Sequence, residues 1–171
     1  VSGINHGYNL GADVFYSGTV AGAVEAALHG IPAIAVSMGY APGADFGPAA
    51  AIVHSLVAAS RQESFPASTV LNVNLPGPSH QRAEVRKDQF MWTRLGQREY
   101  HQRVDSRTDP RGHSYYWIGG PPASNNDPPG TDAHAVHRGL ASITPLTLDL
   151  THHEALDALS AWRLPGYQGV S

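Results

Sequence analysis

The chain contains no cysteine, which excludes a disulfide scaffold, thiolate zinc sites and cysteine nucleophiles. Charge is also sparse: Asp, Glu, Lys and Arg make up 15% of the 171 residues, and the formal net charge is −3. That balance lacks the basic surface that a polyanionic duplex requires, so no nucleic-acid duplex is expected as a partner. No apolar run approaches the roughly 20 residues of a membrane span, and no basic segment followed by an apolar one opens the chain. No membrane association is therefore expected, and a cytoplasmic setting is the default. Several chemical signatures are missing too. There is no Gly-Lys-Ser/Thr phosphate loop, no Gly-x-Gly-x-x-Gly fingerprint, no Gly-x-Ser-x-Gly elbow and no pair of adjacent aspartates. Methionine is scarce, the first being Met38. Because the chain opens on Val1-Ser2-Gly3-Ile4, which reads as the tail of a strand, further sequence is expected upstream.

What is present suits one folded domain. Apolar residues make up 42% of the chain, enough at this length for one substantial core. The densest polar signal lies in residues 1–19, which combine glycines with Ser2, Asn5, Asn9, Asp13, Ser17 and Thr19. This loop feeds a helical pattern over Val20–His29, with Val20, Val24, Ala27 and Leu28 on one face and Gly30 as the stop. A glycine-rich polar loop leading into a helix N-terminus can hold an anion, because the first-turn N–H groups lack intrahelical partners and carry partial positive charge. Ser17 or Thr19 can cap the helix, and Gly18 admits a close ligand. The same features also describe an ordinary strand-to-helix turn.

Ala33-Ile34-Ala35-Val36 reads as a strand covered on both faces. Asp45 is an expected N-cap, with Pro48 in the first turn of a helix reaching Ser60 that turns Ile52, Val53, Leu56 and Val57 inward. Val70–Leu75 alternates, placing Leu71, Val73 and Leu75 on one face. This succession predicts an α/β domain with a mostly parallel sheet, built from residues 1–77 and 131–163. Between them, 78–130 loses apolar periodicity. Asp109-Pro110-Arg111-Gly112 fits a type I turn between Tyr100–Thr108 and His113–Ile118, which predicts a protruding β-hairpin; Pro121–Pro129 reads as a loop. Thr131–Arg138 is an expected short helix, Leu140–Leu150 a strand, and Thr151–Glu154 a capping box for a helix to Trp162, followed by a tail over 164–171.

Three further clusters have both a chemical and a structural reading. His153-Glu154-x-x-Asp157 loosely resembles a zinc-binding helix, but its second histidine is absent and Glu154 fits the capping box. His134 and His137 lie three apart with no evident third ligand. Tyr115-Tyr116-Trp117 could stack a nucleobase, yet such aromatics also concentrate in subunit interfaces, the preferred reading here.

Taken in order, Ser2-Gly3-Ile4-Asn5, Asn9-Leu10-Gly11, Asp13-Val14 and Tyr16-Ser17-Gly18-Thr19 resemble the SurE family of metal-dependent nucleotidases, the stationary-phase survival proteins. Leu71–Pro76, Thr93–Gly96, Asp109–Gly112, Tyr116–Gly119, Gly130–Asp132 and Ser142–Leu146 continue the resemblance. It implies a Rossmann-like three-layer domain with a protruding hairpin region that serves oligomerisation, as a homodimer or homotetramer. It also implies hydrolysis of nucleoside 5′- and 3′-monophosphates, and of polyphosphate, with Mg²⁺ or Mn²⁺. Of the family's metal ligands only the asparagine maps here, onto Asn5; the adjacent aspartates do not. Ala12 stands where the family usually carries an aspartate. Asn9, Ser17, Gly18 and Thr19 are the expected phosphate-binding residues. The catalytic carboxylates are expected outside this sequence, which alone should be close to inactive. The rival expectation is a phosphate- or nucleotide-binding module without catalysis.

Overall fold

The computed structural model describes residues 1–77, 90–97, 103–119, 127–163 and 165–166. Its centre is a five-stranded sheet ordered β1-β2-β3-β7-β4. The strands are β1 (Ser2–His6), β2 (Ala33–Met38), β3 (Thr69–Leu75), β4 (Phe90–Trp92) and β7 (Ala141–Thr147). Pairs β1–β2, β2–β3 and β4–β7 are parallel, whereas β3–β7 is antiparallel. The mostly parallel α/β sheet expected from the sequence is therefore present, with one reversal in the middle.

Side-chain alternation explains the layers. Ile34, Val36 and Met38 of β2 and Leu71, Val73 and Leu75 of β3 share a core with Ile143 of β7. Against them lie Ile52, Val53, Leu56 and Val57 of helix α2 (Gly47–Gln62), the four residues that the periodicity turned inward. On the other face Ala33, Ala35 and Val70 meet Val20, Ala23 and Ala27 of helix α1 (Gly18–Leu28). Helix α3 (Asp132–His137) adds Ala133 and Val136, which bury Leu10. Every residue of β2 is buried, as a strand covered on both faces must be.

Several boundaries differ from expectation, each for a local reason. Helix α1 starts at Gly18, not Val20, because Ser17 Oγ accepts the Val20 N–H at 3.1 Å and so caps it. Strand β2 continues past Val36 because Ser37, though polar, has its hydroxyl satisfied inside the core. Asp45 does not cap α2: its Oδ1 accepts the Gly47 N–H at 2.8 Å in the preceding turn, and the cap position is Phe46. Pro48 occupies the first turn as expected. Strand β7 ends at Thr147, short of Leu150, where Asp149 Oδ1 takes the Thr151 N–H at 2.8 Å and turns the chain. The expected capping box at Thr151 is likewise replaced. His152 Nδ1 accepts the Ala155 N–H at 3.0 Å and caps helix α4 (His153–Ser160).

Among the described residues, strands β5 (Arg103–Thr108) and β6 (Ser114–Gly119) pair only with each other, in an antiparallel hairpin. Asp109 fixes its turn, with Oδ1 accepting from both Arg111 N and His113 N at 2.8 Å. Within the segment expected as an extension, 90–92 join the main sheet through β7, and Arg94 bridges to Thr131. The expected hairpin residues 100–102, most of the 121–129 loop and most of the 164–171 tail lie outside the described residues. Among the described residues, no helix is long and apolar enough to cross a membrane.

Candidate functional site

Strands β1, β2 and β3 run parallel and finish side by side at His6, Met38 and Leu75. Two backbone bonds tie the exits together: Gly7 N donates to Met38 O at 2.8 Å, and Gly39 N to Leu75 O at 3.0 Å. The edge where parallel strands end and their loops emerge is where open α/β sheets hold ligands. Here that edge carries a row of polar side chains. Asn5, Ser37, Asn74 and Ser142 are successive partners across four strands, and Asn72 pairs with Thr144 in the neighbouring row. Thr144 Oγ1 and Thr93 Oγ1 lie 2.7 Å apart. Ser37, Asn72, Asn74 and Ser142 are wholly buried.

The glycine-rich loop folds onto this row and is held by it. Asn9 is the attachment point. Its N–H donates to Asn74 Oδ1 at 2.8 Å, and its carbonyl accepts from Asn72 Nδ2 at 2.9 Å and Asn74 Nδ2 at 3.1 Å. Its own Nδ2 donates to Ser37 Oγ at 2.6 Å. Farther along the loop, Gly11 N donates to Asp132 Oδ2 at 2.8 Å. The other oxygen of Asp132 accepts from Gly96 N at 2.9 Å and Ala133 N at 2.8 Å. Burial raises the Asp132 pKa, because the charged form loses its hydration, while these N–H groups and Asp132's own oppose that shift. Asn72 Oδ1 and Ser142 Oγ, also buried, have no partner among the described residues. An unsatisfied buried polar group costs about 1–3 kcal/mol, so this row is dearer than an apolar one would be.

The expected ligand residues divide into two groups. Asn5 and Asn9 are held at the strand ends. Asn5 Nδ2 donates to Gly7 O at 2.9 Å, which leaves Oδ1 as the atom it can offer a cation. Asn9 is mainly an anchor, with one of its two amide hydrogens committed to Ser37. Ser17, Gly18 and Thr19 form the start of α1, at the far end of the loop. Ser17 Oγ accepts the capping bond, so its hydroxyl hydrogen remains available as a donor. A Cβ built on Gly18 would meet nothing within 4 Å, so open space, not a tight backbone approach, surrounds that position.

The divalent ion expected from the resemblance needs more ligands than these residues supply. Mg²⁺ and Mn²⁺ take several oxygen ligands including carboxylates, and among the described residues no group of three or more His, Cys, Asp or Glu could hold a metal. Asn5 is a single neutral ligand. The histidine clusters are explained by other contacts: His137 Nδ1 is 2.6 Å from Asp127 Oδ2, and His153 Nε2 is 2.8 Å from Asp149 Oδ2. Tyr115 and Tyr116 lie on the hairpin and are exposed.

Sequence reasoning missed Asn72, Asn74 and Asp132 as parts of the site. The alternation in Val70–Leu75 sets both asparagines opposite the leucine face, which reads as a solvated face until the loop is seen to cover it. It also missed an aromatic group beside Asn5. His6 stacks on Tyr40 with ring centroids 4.4 Å apart and planes 25° apart, and Phe46 meets His6 edge-on at 5.4 Å.

Comparison with known proteins agrees with this geometry. The family model described as survival protein SurE matches residues 1–102. The 5'-nucleotidase SurE of Anaeromyxobacter dehalogenans (strain 2CP-C) is 49% identical over 171 residues, covering 98% of this chain and 64% of the relative. That of Myxococcus xanthus (strain DK1622) is 45% identical, covering 98% and 62%. The crystal structure of the SurE protein from Aquifex aeolicus superposes with a TM-score of 0.74 at 38% identity, over 92% of this chain and 62% of that one. The chain thus spans less than two thirds of the length of these relatives.

Proposed function

The chain belongs to the SurE family, and on that premise we propose that it is part of a metal-dependent phosphatase acting on nucleoside 5′- and 3′-monophosphates, with polyphosphate as a further substrate. The observation that carries this reading is the clasped loop. Asn9 is fixed to Ser37, Asn72 and Asn74, and Gly11 to Asp132. A loop fixed at the sheet's ligand-binding edge presents its groups without the cost of ordering them on binding.

In this reading the N–H groups at the start of α1 and the hydroxyls of Ser17 and Thr19 bind phosphoryl oxygens, as helix N-termini do. Asn9 contributes its remaining amide hydrogen. Asn5 Oδ1 is this chain's ligand to a Mg²⁺ or Mn²⁺ ion, and the acidic ligands are supplied from outside the 171 residues. Residues 78–130, with the β5–β6 hairpin, form the oligomer contact of a cytoplasmic homodimer or homotetramer.

Phosphate release from AMP or GMP with Mn²⁺ tests this. The full-length gene product should turn over both and lose activity in EDTA, while residues 1–171 alone should show little or no release. Equal turnover by the short chain would sink the claim that outside carboxylates are essential. The lack of a metal-binding cluster among the described residues favours a second reading for these residues taken alone, in which they bind nucleotide without hydrolysing it. Calorimetry distinguishes the two, since a pure binding module takes up AMP equally with and without chelator.

A further inference from the structure

We propose that the Tyr40 ring, backed by His6 and Phe46, is the platform on which the substrate's nucleobase stacks. The inference rests on the nucleotidase reading and adds a base subsite to it. His6 follows Asn5 at the end of β1, where Asn5 pairs with Ser37 and His6 with Met38; successive side chains leave opposite faces, so the ring stands on the α2 side of the strand ends and Asn5 on the loop side. Tyr40 leaves the end of the neighbouring strand, β2. Their stacking joins two strand ends at the ligand-binding edge, and Phe46 closes the group from the start of α2.

The platform is held before any ligand arrives. Ala41 N donates to His6 Nε2 at 3.0 Å, which sets the imidazole as acceptor there and fixes its plane. Ala44 N bonds Ala41 O at 3.2 Å, and Asp45 Oδ1 takes the Gly47 N–H at 2.8 Å, so the 39–47 loop is pinned along its length. At its root, the Tyr8 hydroxyl accepts from Gly77 N at 3.0 Å and packs against Gly39 so closely that a side chain there would collide with it. Despite this support Tyr40 is 65% exposed. One ring face lies on His6 while the residue as a whole faces solvent.

A nucleotide carries its base one sugar away from its phosphate. With the phosphoryl group at the start of α1 and the metal at Asn5, both on the loop side of the strand ends, the base meets Tyr40 by lying across that edge. Aromatic stacking accepts any base, because each has a π-face, and a base on an aromatic platform is worth about 1–3 kcal/mol. The subsite should thus admit both purines and pyrimidines, with the larger purine rings favoured several-fold.

The test compares kcat/KM for AMP with that for ribose 5-phosphate, which has the same phosphate and sugar and no base. In the full-length gene product with Mn²⁺, AMP should be preferred by about ten-fold or more. Tyr40→Ala should remove most of that preference, and Tyr40→Phe should keep it. Equal kcat/KM for the two substrates in the wild type would overturn the subsite while leaving the phosphatase reading intact. So would a Tyr40→Ala variant that changes both substrates by one factor, or neither. If neither substrate is hydrolysed, the phosphatase reading fails, and calorimetry of AMP binding then decides the subsite. Weaker binding to Tyr40→Ala than to Tyr40→Phe supports it, and equal binding overturns it.

Discussion

Asp132 shows how one carboxylate can organise a site that it does not touch. It is wholly buried and accepts three backbone N–H groups from three segments of the chain: Gly11, Gly96 and Ala133. Asp132→Asn would replace one acceptor oxygen with an NH₂ that confronts a backbone donor. The expected cost is about 1–3 kcal/mol, seen as a lowered midpoint in urea or thermal unfolding. The same residue sets a pH dependence. Burial holds its folded pKa above the ordinary carboxylate value of 3.8, so between the two values the native state retains a proton that the unfolded chain has lost. Its contribution is fully present below 3.8 and is lost as pH rises through the raised value. Asp109 and Asp149 act in the opposite sense. The His113 N–H lowers the pKa of Asp109, and Thr151 lowers that of Asp149, so what these exposed groups contribute is lost as pH falls. Subtracting the unfolding pH profile of Asp132→Asn from that of the wild type should leave a component that declines with rising pH. A flat difference would show that the buried carboxylate does not titrate as described.

At the scale of elements, what was legible in the sequence is what local physics decides. α1, α2 and β3 follow from 3.6-residue and two-residue apolar periods, because each buries its apolar face in its own layer, and β2 from an unbroken apolar run, because it is covered on both faces. The Asp109–Gly112 turn was legible because Asp, Pro and Gly each enforce a backbone geometry. β4 was not, since Phe90, Met91 and Trp92 are all apolar and so show no alternation in sequence, although only Met91 is half-buried. The cap of α4 was misplaced for a related reason. A capping box is a pattern of types, and Asp149 had already taken the Thr151 N–H. The site was half legible. Its loop announces itself by composition, but its supports lie 28 to 121 positions away in sequence. At the start of α1, Ser17→Ala removes the cap on Val20 and should cost about 1 kcal/mol in stability. If the hydroxyl also holds phosphate, KM for AMP should rise as well, whereas an unchanged KM would restrict Ser17 to capping.

For the molecule as a whole, two of the exposed apolar surfaces among the described residues bear on assembly. One is a groove of about 670 Å³ between α1 and β7, lined by Val20, Val24, Leu146 and Leu148. The other is the hairpin, where Val104, Tyr115 and Tyr116 are exposed. If the hairpin is the oligomer contact, replacing 103–119 with a short Gly-Ser turn should reduce the mass of the full-length gene product by light scattering to that of a smaller assembly. An unchanged mass would move the contact elsewhere, with the groove as the next surface to examine. The buried asparagines bear on a different property of the fold, its fidelity. Slipping β3 by one residue against its neighbours would exchange its two faces. Asn72 and Asn74 would enter the apolar layer under α2, and three bonds to Asn9 would be lost. The side chains that clasp the loop are thus also the key that aligns the sheet. A chain that folds out of register cannot assemble the site, so its misfolded forms are silent and not miscatalytic.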